Sequence, residues 1–282
     1  MFLLLAYRWG DDRHGSVRAA QAWAGYAADR LRAGAIEPGV MIKVSVFRCR
    51  QVVVDRVVKA ASRVEAVRTR NVERFASDLR DLHDAIAPTD LHEHYWVWAG
   101  FLLGWAREGA ILPHDCLDAD FAVRDGDFDR LIRAVPAILR AGFACDRKFI
   151  SDSGLVTELT FTRHGARFDF FRMFPDAGQL RYFIYRLKLT SVTETEAALP
   201  DQPTEPFTFL GRTWLKHADH ARELRAIYGN WEVPDPSWAF GDGLNHGAQR
   251  TSRHSHSAFD WRPSQVVADL PGASLPRPAR NG

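Results

Sequence analysis

Hydrophobic positions recur at helical spacing between Val52 and Ala87. Val53, Val57, Ala60, Val64 and Val67 fall on one stripe, and Val72, Phe75, Leu79, Leu82 and Ile86 resume it after a shift, until Pro88 stops the pattern. This predicts one long amphipathic helix. Its polar face starts rich in base (Arg56, Lys59, Arg63, Arg68, Arg70, Arg74), and such a face either is solvated above a packed stripe or lies on an anionic membrane surface. Thr89 or Asp90 would cap a further helix, Leu91 to Leu103, running into Gly104. Strict alternation over Leu155–Thr162 predicts a strand, and Arg163-His164-Gly165 a hairpin turn into a second strand around Asp169. Between Gly104 and Leu155 come a short strand at Asp118–Val123 and a helix starting at Phe128, with Asp127 as N-cap and Gly142 at its end. Strand-like pieces follow at Arg181–Leu189 and Phe207–Leu210, then a helix from Ala218 to Tyr228 closed by Gly229. Upstream, Trp23, Ala27 and Leu31 share a helical stripe and Met41–Phe47 alternates; beyond Phe240 the Gly/Ser/His/Arg/Pro composition predicts an unstructured tail. The expected layout is an extension at 1–50, the amphipathic helix at 51–88, an α+β domain at 89–240 and the tail at 241–282.

Three acids interrupt this pattern where apolar residues would be expected. Asp118 and Asp120 are two apart, so on a strand they point to one face. Two like charges on a mostly apolar strand become tolerable when a divalent cation sits between them, although a solvated acidic turn has the same spelling. Asp169 stands among Phe168, Phe170, Phe171 and Phe174, where an unpaired carboxylate costs several kcal/mol. Arg167 or Arg172 could pair with it; a metal ion is the other solution. Two acids on one strand and one on a neighbour suit a two-metal phosphoryl-transfer site, in which ions about 3.5–4 Å apart clamp the attacking and leaving oxygens.

The segment Gly100-Phe101-Leu102-Leu103-Gly104-Trp105-Ala106-Arg107-Glu108-Gly109, then Leu112-Pro113-His114-Asp115 and Asp118-Ala119-Asp120, resembles the signature of the LicD/fukutin family of the nucleotidyltransferase-fold superfamily. Phe168-Asp169-Phe170-Phe171 resembles that family's later acidic strand, and Leu224–Trp231 with Pro234 its closing helix and Tyr-Gly-x-Trp element. The similarity runs over roughly residues 92–240. Phe101 replaces a small polar residue, and Cys116-Leu117 lengthen the step from Pro113 to the Asp pair. The resemblance implies a nucleotidyltransferase-like mixed sheet flanked by helices. It also implies metal-dependent transfer of a phospho-alcohol, such as phosphocholine or ribitol phosphate, from a CDP-activated donor to a glycan hydroxyl. Asp118, Asp120 and Asp169 would then be the catalytic acids and the ligands of Mg²⁺ or Mn²⁺, with Asp115 a further candidate ligand. Gly100, Gly104, Arg107 and His114 are the candidates for substrate contact. Arg107 has the fork that matches phosphate oxygens, or else a structural bridge to Glu108 or Asp115; His114 could orient Asp115 or simply occupy the turn. Transfer of a nucleoside monophosphate from a nucleoside triphosphate to a small molecule or protein would use the same metals, and a catalytically inactive binding protein would keep the same fold.

Composition changes this picture little. In 282 residues, 37 Lys and Arg against 35 Asp and Glu leave a net charge of +2, which favours no nucleic-acid partner. Cys49, Cys116 and Cys145 form no close pair, as in a reducing, cytoplasmic setting. No run approaches the roughly 18 apolar residues of a membrane span, which leaves the 52–87 helix as the candidate for peripheral membrane contact. His92-Glu93-His94 lacks the spacing of a zinc helix, and Asp125-Gly126-Asp127-Phe128-Asp129 lacks the Gly and Glu of a calcium loop. Walker A, G-x-G-x-x-G and G-x-S-x-G elements are missing.

Overall fold

The structure is a computed structural model that describes residues 65–112, 115–151, 155–187, 192–235, 238 and 250–254. The predictions on residues 1–64, and His114 with Pro113, lie outside these. The chain divides into two compact units, Met1–Arg68 with Leu187–Val192, and Thr69–Arg186 with Thr193–Gly282; the three acids all lie in the second. In chain order the elements are α1 (Glu65–Ile86), β1 (Tyr95–Trp98), α2 (Ala99–Glu108), β2 (Asp118–Arg124), α3 (Phe128–Arg140), β3 (Ala144–Ile150), β4 (Val156–Arg163), β5 (Ala166–Asp176), β6 (Gln179–Leu187), β7 (Val192–Pro200), β8 (Thr204–Phe209), β9 (Arg212–His217), α4 (His220–Tyr228) and β10 (Arg250–His254).

The fold is α+β. Eight strands form one sheet along the path β1-β2-β5-β6-β7-β10, with β4 also on β5 and β3 on β4; β8 and β9 form a separate hairpin. β2 and β5 run parallel, in a register that sets Asp118 opposite Arg167 and Asp120 opposite Asp169. β5 serves two ladders: its first part pairs with β2 and β4, and Phe174–Asp176 pair with β6. Three hairpins turn on two residues with positive φ, among them His164 (φ 50°) and Gly165 (φ 87°), the twist that a two-residue hairpin requires.

One face of the sheet is apolar. Val97, Ala119, Phe121, Phe161, Phe168 and Phe170 are buried there against Phe75, Leu79 and Leu82 of α1, Leu102 of α2 and Leu131 of α3. The stripe of α1 is therefore core, and in the described portion of the 52–87 helix no apolar face is left for a membrane. From Thr69 on, the helix belongs to the same compact unit as the sheet.

Two expectations are corrected. The segment expected as a helix over Leu91–Leu103 begins with a strand, because Tyr95-Trp96-Val97-Trp98 are four strand-formers buried on both faces, which erases alternation. Within the tail expected to be unstructured, Arg250–His254 forms β10, antiparallel to β7; an open sheet edge supplies backbone partners whatever the side chains. Asp127 does stand before α3, but its carboxylate accepts from Arg130 Nε at 2.8 Å instead of capping the helix. No helix among the described residues is long and apolar enough to cross a membrane.

Candidate metal centre

The opposite face of the sheet carries the acids. Parallel pairing of β2 with β5 puts Asp120 beside Asp169, and the two-residue spacing adds Asp118. One carboxylate oxygen from each of the three lies within 4.8 Å of the others. Asp118 is tied to the Arg167 guanidinium at 2.6 Å, across the ladder. Arg172, the other candidate partner for Asp169, is engaged by Asp125 at 2.6 Å and the Val156 carbonyl at 3.2 Å. One oxygen each of Asp118 and Asp169 is buried with no hydrogen-bond partner among the described residues. Buried unsatisfied carboxylate oxygens at a shared point are what hard cations seek, so the three acids could hold a metal ion.

Electrostatics agree with the geometry. Burial pushes the Asp118 carboxyl up to about 7, against the pull of Arg167 and with help from Asp169 and Asp115. Asp120 is held well above the ordinary carboxylate range by burial, then by Asp118, Asp169 and Asp115. Burial and the Asp120 and Asp115 charges likewise raise the Tyr228 hydroxyl.

These shifts set a pH dependence. Without metal, folded Asp118 keeps its proton to about pH 7, while the unfolded chain releases it near 3.8. The folded state thus binds more protons across that window, and stability falls as pH rises through it. Asp120 acts in the same direction. His220, lowered by its burial, opposes them as a single group, and the Arg-paired Asp84 and Asp90 act only at lower pH. The metal-free melting temperature should therefore be lower at about pH 8 than at about pH 5, and saturating Mn²⁺ should remove most of the decline, since ligation needs the ionised acids. Scanning calorimetry at both pH values checks this; a metal-free profile that rises with pH would contradict it.

The other candidates separate. Gly100 lies in the first turn of α2, directly after β1, and a Cβ there would stand 2.2 Å from the Asp115 Oδ2 and 4.0 Å from the Tyr228 hydroxyl. Asp115 therefore belongs to the neighbourhood of the centre, though not to the three-acid group. Its carboxylate sits by a helix start that has no side-chain cap and no acid in its own first turn, where negative charge is favoured. Gly104 is a packing position: a Cβ would meet the Ala110 carbonyl at 2.7 Å and the Leu112 amide at 3.3 Å. Arg107 ends the same helix, bonded to Glu108 at 2.9 Å and to the Trp231 carbonyl at 3.4 Å. It lies seven residues from Gly100, about 10 Å along the axis, so the bridge to Glu108 accounts for it. Phe101 packs inward on Phe121, Phe209 and Trp214. Cys116 and Cys145 are buried.

Glu158 on β4 escaped the sequence argument. It is 5% exposed and on the same face as the acids, since Thr160, two residues on, pairs with Asp169. Its polar spacing alternates with Leu159 and Phe161 like any solvent-facing position, and only the covering of both faces of β4 reveals it. No family model matches this chain, and none of the curated proteins matches it.

Proposed function

We propose that this chain is a divalent-metal-dependent transferase of phosphorus-containing groups with a nucleotidyltransferase-like site. By its resemblance to the LicD/fukutin family, it would move a phospho-alcohol from a CDP-activated donor to a glycan hydroxyl. The observation that carries this reading is the convergence of Asp118, Asp120 and Asp169 on one point, with buried carboxylate oxygens left unpartnered. Asp120 and Asp169 face each other from parallel strands and would hold the ion between them, with Asp118 contributing beside Arg167. A bound Mg²⁺ or Mn²⁺ would supply charge neutralisation for a diphosphate and so lower the barrier to in-line attack. The chain itself positions the rest. The start of α2 at Gly100 is where the Asp115 carboxylate and the Tyr228 hydroxyl approach, which keeps both polar groups beside the centre. Arg167 keeps a positive charge next to Asp118 whether or not an anion is present.

Ligand-dependent melting tests the proposal. Mn²⁺ alone should raise the melting temperature, and a cytidine diphosphate-alcohol added with Mn²⁺ should raise it further, by about 2.7 kcal/mol of stabilisation at 100 times its dissociation constant. A larger increment from nucleoside triphosphates would redirect the reading to nucleotidyl transfer. No shift with Mn²⁺ would overturn it.

A further inference from the structure

β1 sets two tryptophans on the face of the sheet that carries the acids. Trp98 pairs with Asp120 across the antiparallel ladder, and Trp96 pairs with Ala122. Ala122 in turn faces Phe171 on β5. The Trp98 ring meets the Phe171 ring edge-on at 4.8 Å and the Tyr182 ring edge-on at 4.8 Å. β5 is two strands away from β1, so these rings meet above β2, where the small side chain of Ala122 leaves them room. The indole thus passes beside the Asp120 carboxylate, in a cross-strand pair whose Cβ atoms stand about 4.5–5.5 Å apart. The backbone holds it there. Trp98 ends β1, and the next residue, Ala99, has φ 48°, a left-handed conformation that is costly for a residue with a Cβ. This turn lets β1 end opposite Asp120 while α2 starts at once, with Gly100 against the Asp115 carboxylate. Backbone strain of this kind persists only where the surroundings over-determine it, and it gathers at functional sites.

Hydrogen bonding points to a use for the indole. Trp98 is 4% exposed, and its Nε1 is buried with no hydrogen-bond partner among the described residues. An indole nitrogen can only donate, and a buried donor without an acceptor is destabilising. The residue paired with Trp98 is a carboxylate, and one of its two oxygens belongs to the three-acid group. We propose that Trp98 is a positioning residue of this centre: its indole N–H bonds the other Asp120 oxygen, directly or across one water, and so sets the orientation in which Asp120 meets an ion. This rests on the proposed function, since it orients a ligand of the same ion. Carboxylates that bind a metal keep hydrogen-bond partners of their own, and losing such a partner weakens the metal by about 10- to 100-fold. Trp96 supplies the contrast. Its Nε1 is equally buried and unpartnered among the described residues, but its ladder partner is Ala122 and its ring stacks on His217 at 5.0 Å.

Magnetic resonance on the intact chain, labelled with ¹⁵N at tryptophan, tests this without any substrate. The Trp98 indole N–H signal is identified by its absence from Trp98→Phe, or by sequential assignment if that variant does not fold. It should move downfield as Mg²⁺ binds, and its exchange with solvent should slow. Trp98→Phe keeps a ring in the wall and removes the donor; in calorimetric titration it should bind Mn²⁺ about tenfold or more weakly, with the number of ions unchanged. Trp96→Phe loses the same bulk one step along the strand and should change the Mn²⁺ affinity less than about threefold. A Trp98 signal that stays still while Mg²⁺ binds, an unchanged affinity in Trp98→Phe, or an equal loss in both variants would overturn the proposal and leave the three-acid reading standing. No binding of either ion to the intact chain would overturn both.

Discussion

Replacing Asp120 by Asn should remove most of the metal-dependent stabilisation while making the metal-free protein more stable. Asp120 is the middle acid, flanked by Asp118 on its own strand and by Asp169 across the ladder, and its charge is opposed by both. The amide removes that repulsion at nearly constant shape. Relief of one buried like-charge contact is worth roughly 1–2 kcal/mol, or about 2–8 °C in a domain of this size. Loss of a metal ligand costs at least what loss of an outer-shell partner does, on the order of 100-fold in affinity. With Mn²⁺ at 100 times the intact chain's dissociation constant, the intact chain gains about 2.7 kcal/mol and the variant about 0.4 kcal/mol. Melting curves with and without Mn²⁺ at about pH 8 should therefore cross over, the variant being the more stable without metal and the less stable with it. Equal Mn²⁺ shifts in the two proteins would mean that Asp120 is not a ligand.

A second large effect belongs to stability alone. Gly104→Val should lower the melting temperature by roughly 6–12 °C, the equivalent of about 3 kcal/mol. The first added carbon would fall 2.7 Å from the Ala110 carbonyl, which is backbone and cannot rotate aside. Any gain in helix propensity over Gly is at most ~1 kcal/mol and cannot offset this. In the fraction that folds, the number of Mn²⁺ ions bound should be unchanged, because the substitution lies away from the acids. A stable variant that had lost only ligand binding would return Gly104 to the substrate contacts the sequence suggested.

The contrast between these two positions shows what the sequence could reveal. Asp118 and Asp120 were legible because strand alternation alone places them together, and Asp169 because a carboxylate among phenylalanines has few inexpensive solutions. Their meeting was not, since nothing local fixes a parallel register between β2 and β5. β1 was hidden by burial on both sides, and Glu158 by an ordinary polar alternation. Gly100 and Gly104 share a helix and a motif, yet one approaches a carboxylate and the other a carbonyl, a difference only the path of the following loop decides. Arg107 reads as a phosphate contact from its chemistry; the structure shows it at the far end of α2 from Gly100, bonded to Glu108 and the Trp231 carbonyl.

β5 gives its first residues to the ladder that holds the acids and its last to the ladder with β6, in 11 uninterrupted residues. Enzymes that expel water by swinging one lobe over another need a pivot of a few residues free to change direction. A strand bonded to neighbours in both ladders offers none, so the two parts of the sheet turn over as one plate. Water at the acids then has to be displaced by the incoming molecule itself or by a connecting loop. Under the proposed transfer such a centre would discriminate by bulk: a truncated acceptor would leave solvent beside the acids, and the activated donor would be lost to hydrolysis.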